Sequence, residues 1–252
     1  MAHLPYLNVT GAQVQQVMQS VDLAVIPFGS AEYHGPHAPL GTDSFIAAEL
    51  AGRVAGRLNA VLCPLIAYTT CPVSTRHNPG TISIDDGVMV AYIADVFSGL
   101  LRHGLQGLLA LNAHDGNIDT VKRAAERMVE AYPDRFILLI NWWQVLPTSL
   151  VESLDLFSQG GGHGHGGPLE TSAAWAVAPG AVDLSKGKDI DPVSDAPDML
   201  TVLHAGRARP AWAGYHGRVS ESSIEKGATL LNLAEERIAG LVQDWIRKGS
   251  KE

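Results

Sequence analysis

Short apolar runs alternate with segments of helical periodicity along most of the chain, and this alternation constrains the fold more than any other feature. Four apolar runs predict strands, namely residues 23–29, 60–68, 107–117 (a strand running into a turn) and 135–143. Five segments of helical period predict helices over 44–58, 85–104, 118–132, 169–179 and 222–249. Such alternation predicts a mainly parallel sheet with helices on both faces. Residues 180–215 are the least regular.

The spacing of apolar residues also predicts which side of each helix is buried. In the segment 44–58 the buried positions repeat every four residues, and Thr42 or Asp43 is placed to cap its start. The buried positions of that helix are Ile46, Leu50, Val54 and Leu58. Those of the long helix 222–249 are Leu230, Ala234, Ile238, Leu241 and Trp245.

The length and the net charge of the chain restrict the class of protein. A chain of 252 residues is at the upper end for one domain, so residues 1–252 are predicted to form a single catalytic domain. The net charge of −8 and the lack of a basic run argue against nucleic acid and leave a small molecule as partner. No apolar run reaches membrane-spanning length, and the first residues lack the features of a signal peptide. We therefore expect a soluble, cytoplasmic protein that does not bind membranes.

The chain contains two cysteines, Cys63 and Cys71. They form neither a disulfide framework nor a CxxC site, and we interpret them as ordinary thiols in a reducing compartment. No GxSxG motif is present, and Ser30 lacks the sharp turn of a nucleophilic serine, so a serine hydrolase is not supported.

Polar side chains cluster where predicted strands end. Glu32 and His34 follow the first strand, Asp43 lies nine residues after His34, and His114 follows the third strand. Ligands of parallel sheets bind outside the carboxyl ends of the strands. Carboxylates and imidazoles bind Zn²⁺, Mn²⁺ or Fe²⁺, and a carboxylate can bridge two ions. Taken singly, a loop histidine is usually solvated and an aspartate before a helix is usually a cap.

Three further motifs contain candidate site residues. In "HGHGGPLETS", His163 and His165 form an HxH pair that could bind metal; alternatively, His165 is an acid/base group and Glu170 a ligand, or Glu170 interacts with the helix dipole. In "LNAHDGN" the turn explains the asparagines and the glycine but not His114. His77 in "HNPGTISI" is either functional or an ordinary loop histidine.

These motifs resemble the creatininase (creatinine amidohydrolase) family. "PFGSAEYHGPHAPLGTD" is similar to its E-x-H-G-x-H-x-P-x-x-T-D element and "LNAHDGN" to its N-G-H-G-G-N element. "HNPGTISI", "HGGPLETS" and "RVSESSIEKG" resemble three further elements of the family, and all the matches come in the family's order over about residues 20 to 230. The resemblance implies a three-layer α/β/α sandwich and a hydrolase with two divalent metal ions.

Carried over motif by motif, the resemblance assigns roles to individual residues. Glu32 and His114 would bind one ion, His34 the other, and Asp43 both. Glu170 is expected to complete the second site, where creatininase has a glutamate at the position of Gly116. The family's catalytic histidine corresponds to His165, which would protonate the leaving nitrogen. A homo-oligomer, a hexamer, is also implied.

Departures from creatininase argue against creatinine as the substrate. Asp115 replaces an aromatic residue, Gly164 replaces an acidic one, and no tryptophan lies between Trp143 and Trp175. Asp115 could orient water or contact substrate, with Glu170 and His165 in the catalytic set. Contacts with the substrate are predicted for His77, Trp142 and Trp143, although core packing explains the two tryptophans equally well.

The expected activity is amide hydrolysis. The resemblance implies that a hydroxide bridging the two ions opens a cyclic amide or cleaves a formamide or other non-peptide C–N bond. The alternatives are hydrolysis of an inosose-like cyclic ketone at a C–C bond, or a metal-dependent peptidase.

Overall fold

The computed structural model describes residues 4–21, 23–158, 160–190 and 213–249. Its centre is a five-stranded sheet in which all pairs are parallel, in the order β1-β3-β2-β4-β5. The strands are β1 Leu4–Pro5, β2 Leu23–Phe28, β3 Val61–Leu62, β4 Gly107–Asn112 and β5 Phe136–Asn141. The predicted mixed α/β fold with a parallel sheet is therefore confirmed.

Helices cover both faces of the sheet. They are α1 Val14–Ser20, α2 Thr42–Leu58, α3 Asp86–Arg102, α4 Asn117–Ala131, α5 Thr148–Ser153, α6 Pro168–Val177 and α7 Ile224–Gly249. In the described part of the chain, no helix has the length and apolarity needed to cross a membrane.

Alternating side chains of the central strands separate the core into two clusters. Leu23 and Val25 of β2 pack with α2, α6 and α7, whereas Ala24, Ile26 and Phe28 pack with α3 and α4. This is the period-2 alternation of a strand buried on both sides. The arrangement has the three layers of an α/β/α sandwich.

The helices that follow β2 and β4 lie on opposite faces of the sheet, so the strand order switches direction between these two neighbouring strands. The chain leaves β2 into α2 on one face of the sheet, and leaves β4 into α4 on the opposite face. These adjacent strands pair in register from Leu23–Gly107 to Phe28–Asn112. Such a switch point forms a crevice at the carboxyl edge, where parallel sheets bind ligands.

Some predicted details were wrong. The strand expected over 60–68 pairs only at Val61–Leu62, because Pro64 has no N–H to donate, and one bridge at Ile66 follows. Helix α2 is not capped by Thr42 or Asp43, since Gly41 is the N-cap and no side chain caps it. Both residues lie inside its first turn.

The buried face of α7 also differs from the prediction. Leu241 and Trp245 are about half exposed (53% and 45%), whereas Val242 is fully buried. Near the end of the helix, the Trp245 ring packs on Phe136 at the edge of the sheet, with ring centroids 4.5 Å apart. Most of the segment 180–215 lies outside the described residues.

Helices α6 and α7 pack closely at Gly227, and this contact gives a stability prediction. A Cβ at Gly227 would lie 1.9 Å from the Ser172 carbonyl oxygen. We expect Gly227→Ala to lower the free energy of unfolding by about 1–3 kcal/mol, although alanine favours helix by about 1 kcal/mol. Gly240→Ala on the same helix is the control, because nothing lies within 4 Å of its Cβ position. Urea denaturation of both variants measures the difference, and equal midpoints would contradict the close approach.

Candidate metal centre

Six ionisable side chains meet at the carboxyl edge of the sheet, beside the switch point. The loop after β2, the first turn of α2, the turn after β4, the glycine-rich approach to α6 and the first turn of α6 supply them. They are Glu32, His34, Asp43, His114, His165 and Glu170. The sequence predicted all six as metal ligands or catalytic groups, and the fold brings them together.

The two carboxylate oxygens of Asp43 face different imidazoles. Oδ1 lies 3.1 Å from Nε2 of His34, and Oδ2 lies 3.0 Å from Nδ1 of His114. Oδ2 also accepts a 2.6 Å hydrogen bond from the hydroxyl of Ser30. Asp43 is 1% exposed. One buried carboxylate therefore lies between two nitrogen donors.

Backbone carbonyls fix the orientation of three imidazoles. His34 donates from Nδ1, whereas His114 and His165 donate from Nε2, because a carbonyl oxygen can only accept. The accepting carbonyls belong to Glu32 at 3.0 Å, Thr70 at 2.9 Å and Tyr33 at 2.8 Å. The other nitrogen of each ring is turned toward the carboxylates. Metal-binding histidines commonly have such a carbonyl partner, which fixes the tautomer.

Glu32 is a test of whether the cluster suits a metal ion. The residue has no exposed surface, and neither carboxylate oxygen has a hydrogen bond of acceptable geometry. Oε2 lies 3.1 Å from Nδ1 of His114 and 3.9 Å from Nε2 of His34. A buried carboxylate whose oxygens make no hydrogen bond is costly, and a cation would satisfy it. The oxygen and nitrogen donors around it therefore fit a divalent metal.

Glu170 and His165 form the accessible side of the cluster. Their side chains are 16% and 23% exposed, whereas those of Glu32, His34, Asp43 and His114 are at most 4% exposed. Oε2 of Glu170 lies 3.8 Å from Nε2 of His34 and accepts a hydrogen bond from the Gly166 amide at 2.7 Å. The His165 ring lies 4.2 Å from the His34 ring. A substrate can approach the buried groups from this side.

The electrostatics of the buried part favour cations. Burial alone would lower the pKa of His34, but the carboxylates of Asp43, Glu170 and Glu32 raise it to about 10. Burial would lower the pKa of His114, but its close contacts with Asp43, Cys71 and Glu32 raise it well above its usual value. Conversely, burial would raise the pKa of Asp43, but the two imidazoles hold it well below its usual value.

The pKa values of the two more accessible residues shift the other way, upward for the carboxylate and downward for the imidazole. Burial, together with the charges of Asp43 and Glu32, raises the pKa of Glu170 to about 7. Burial and the positive His34 lower the pKa of His165 to about 4. His165 is therefore neutral at pH 7, with Nδ1 as its basic nitrogen, so it can accept a proton.

The ligand atoms group into three sets, each with its atoms within 4.8 Å of one another. One set is Glu32, His34 and His165, and another is His34, Asp43 and Glu170. The third set is Glu32, Cys71 and His114. The sequence had assigned no role in the site to Cys71. Cys71 lies in the loop after β3, so it reaches the same edge of the sheet.

Other predicted site residues lie outside this cluster. Asp115 is exposed and lines a neighbouring cleft of about 450 Å³ with Arg76 and Lys122. His77 is exposed in a turn. His163, the other member of the HxH pair, approaches the Gly160 carbonyl and belongs to none of the three donor sets among the described residues.

The two tryptophans differ in their surroundings. Trp142 has no exposed surface and belongs to the core cluster of α2, α6 and α7. Core packing, the alternative to a substrate contact, therefore describes Trp142 in this structure. Trp143 is half-buried against the same cluster, and its contact with substrate stays a prediction.

Sequence reasoning missed two supporting residues. Ser30 holds Asp43, and Nε2 of His37 lies 3.1 Å from both the Gly166 carbonyl oxygen and the Thr171 hydroxyl. His37 thus connects the loop after β2 to the segment that carries His165. Both residues belong to the motif that contains Glu32, but their partners are 13 to 134 residues away, so only the fold reveals them.

Known proteins are similar to this chain in sequence and in fold. The sequence model of the family "Creatininase: Creatinine amidohydrolase" matches residues 8–242. A creatinine amidohydrolase of Pseudomonas putida is 27% identical over 87% of this chain and 88% of its own length. A 3-dehydro-scyllo-inosose hydrolase of Thermotoga maritima is 26% identical over 84% of this chain and 69% of its own. A mycofactocin precursor peptide peptidase of Mycobacterium tuberculosis is 28% identical, over 96% and 88%.

Solved structures share the fold. A mutant creatininase of Zn–Zn type has a TM-score of 0.85 at 24% identity, covering 97% of this chain and 98% of that one. A manganese form of creatininase has a TM-score of 0.83 at 24% identity, covering 96% and 98%. The sheet and both helical layers described above are therefore those of creatininase structures.

Proposed function

The chain belongs to the creatininase family of hydrolases, and we propose that it uses two divalent metal ions to open a cyclic amide or to cleave a formamide or other non-peptide C–N bond. The relatives include an amidohydrolase, an inosose hydrolase and a peptidase, so hydrolysis is what their names share. A homo-oligomer, a hexamer by family resemblance, and a cytoplasmic location are part of the same proposal.

The position of Asp43 carries this proposal. Its oxygens lie 3.1 and 3.0 Å from the nitrogens of two different histidines, in a buried site. Among the described residues, the ion pairs of this cluster contain histidines and carboxylates but no lysine or arginine. The position of this carboxylate between His34 and His114 supports the role of a ligand shared by two ions.

The remaining ligands divide between the two ions. Glu32 and His114 would hold one, and His34 and Glu170 the other, with Asp43 shared. Imidazole and carboxylate donors suit Zn²⁺, Mn²⁺ and Fe²⁺ alike, so the donor set limits the metal to this group. Two such ions lower the pKa of bound water and polarise a substrate carbonyl.

Proton transfer is assigned to His165. Its Nε2–H donates to the Tyr33 carbonyl, so Nδ1 faces the carboxylates. The low pKa leaves the imidazole neutral at pH 7. Nδ1 can take a proton from the attacking water and deliver it to the leaving nitrogen, which departs poorly as an anion. Asp115, His77 and Trp143 stay candidates for contacts with the outer part of the substrate.

Metal content and substrate range test the proposal together. Protein purified without chelators should contain about two equivalents of divalent metal by elemental analysis, as a shared-carboxylate site requires. It should hydrolyse at least one member of a panel of cyclic amides and formamides. Removal of the metal by a chelator should abolish this hydrolysis, and Zn²⁺, Mn²⁺ or Fe²⁺ should restore it.

Two other results would redirect or end the proposal. Turnover confined to inosose-like ketones or to peptides in the same panel would replace the C–N bond by one of the alternatives. Full hydrolysis by chelated, metal-free protein would contradict metal dependence altogether.

A further inference from the structure

Cys71 is the one thiol near the candidate metal centre, and we propose that it is a ligand of the ion held by Glu32 and His114. The inference rests on the proposed two-metal function. It adds a sulfur donor to a centre whose other predicted ligands are all oxygen and nitrogen.

The position of the thiol supports this role. Sγ of Cys71 and the ligand atoms of Glu32 and His114 lie within 4.8 Å of one another, and Cys71 is 1% exposed. Zinc–ligand lengths of about 2.0–2.3 Å place two donors of one tetrahedral ion roughly 3.5 Å apart. The three side chains therefore need to move by little more than about 1 Å to share an ion, which small side-chain rotations supply.

Glu32 is an independent observation that points to a ligand at the same place. Both of its oxygens are fully buried and lack hydrogen bonds. His114 offers one nitrogen on this side, because its other nitrogen bonds to the Thr70 carbonyl. A cation between Glu32, His114 and Cys71 would satisfy the carboxylate and use the thiol that faces it.

The backbone of Cys71 is held firmly, although its thiol is not. The amide donates to the Ser83 hydroxyl at 2.9 Å, and the carbonyl accepts from Arg76 at 2.9 and 3.2 Å. The thiol makes a long contact of 3.9 Å to the Ile82 carbonyl and also contacts the His114 imidazole. Binding a metal would release the thiol proton to solvent and would sacrifice little, because the bond it replaces is weak.

Cys63, the other cysteine, differs from Cys71 in the way expected of a cysteine that only packs in the core. It lies in the core cluster of α3 and α4, where burial raises its pKa to about 12. It belongs to none of the three donor sets in the described part of the chain. Since the chain has only two cysteines, any thiolate ligand can be assigned by elimination of Cys63.

A thiolate would also bias the choice of metal. Sulfur is a soft donor that favours zinc, whereas manganese prefers oxygen. The site of Glu32 and His114 should therefore prefer Zn²⁺, and the site of His34 and Glu170 should discriminate less. Loss of the sulfur should weaken zinc binding at the first site by about tenfold to a hundredfold and leave manganese binding nearly unchanged.

Cobalt(II) spectroscopy of the full chain tests the inference without any substrate. Metal-free wild-type protein is titrated with Co²⁺, and a thiolate ligand produces a charge-transfer band in the near ultraviolet that oxygen and nitrogen ligands do not. We expect this band in the wild type and in Cys63→Ala, and its loss in Cys71→Ser. If Cys71→Ser does not fold, a band that persists in Cys63→Ala still assigns the thiolate to Cys71.

The outcomes separate the two proposals. Binding of Co²⁺ without a near-ultraviolet band in the wild type would overturn the role of Cys71 and leave the two-metal function intact. A band that disappears in Cys63→Ala would likewise overturn it. No binding of Co²⁺ at all would overturn both proposals. Competition between Zn²⁺ and Mn²⁺ in Cys71→Ser supplies the second readout, and an unchanged preference would contradict the inference.

Discussion

Replacement of Asp43 by asparagine is expected to remove both metal ions and to reduce hydrolysis by about a thousandfold or more, because both ions are predicted to depend on this one carboxylate. Asparagine has nearly the same shape, so the first turn of α2 should persist. Its amide offers a single neutral oxygen, and its NH₂ group would face either His34 or His114 instead of a cation. Elemental analysis after gel filtration measures the metal, and the most active member of the substrate panel measures the hydrolysis.

A matched charge change controls for net charge. Asp244 is 60% exposed on α7 and pairs with Arg247, far along the chain from the cluster. Asp244→Asn should retain both ions and full hydrolysis. If Asp43→Asn instead keeps two equivalents of metal, the shared-ligand role is wrong; if it loses one ion only, Asp43 serves a single site.

The sequence predicted the layers of the fold well, because burial on two faces leaves a direct trace in the chain. Apolar runs such as 107–112 are too short and too continuous for amphipathic helices, and the segments between them have helical period. The predicted order of elements followed from this pattern alone. What the pattern could not supply was the position of β3 between β1 and β2, because strand order depends on contacts between distant segments.

The candidate site was predictable where its residues share one motif. Glu32, His34 and Asp43 lie within twelve residues, so ligand chemistry and spacing were enough to suggest a metal. Asp43 was ambiguous, since an aspartate near a helix start resembles a cap. The structure resolves this, because Gly41 is the N-cap and the Asp43 carboxylate faces the two histidines instead.

Residues that act through distant partners could not be identified in this way. Cys71 looked like an ordinary thiol because its neighbours in sequence include no metal ligand, yet the loop after β3 brings it to Glu32 and His114. Trp142 looked like a substrate wall or a core residue with equal justification, and only the structure shows that it is fully buried. In each case the missing information is a long-range contact, which local pattern does not encode.

Replacement of His165 by alanine is expected to leave both ions in place and to reduce turnover by about a hundredfold to ten-thousandfold, the range of a lost acid/base group. Nδ1 of His165 lies 3.8 Å from Oε2 of Glu32, farther than the 3.0–3.1 Å contacts around Asp43, and 23% of the side chain is exposed. This is the position of a group that meets the substrate rather than one that anchors a buried ion. Metal content and turnover, measured on the same preparation, separate these roles.

The neighbouring histidine provides the control for this experiment. His163→Ala, two residues away, should retain both metal and turnover, because Nδ1 of His163 approaches the Gly160 carbonyl rather than the cluster. Loss of metal from both variants would restore the HxH pair as a ligand motif and would remove His165 from its acid/base role. Loss of metal from His165→Ala alone would make His165 a ligand through the set that it forms with Glu32 and His34. Retained metal with lost turnover is the one result that leaves proton transfer as the function of His165, since a residue that only packed would change neither.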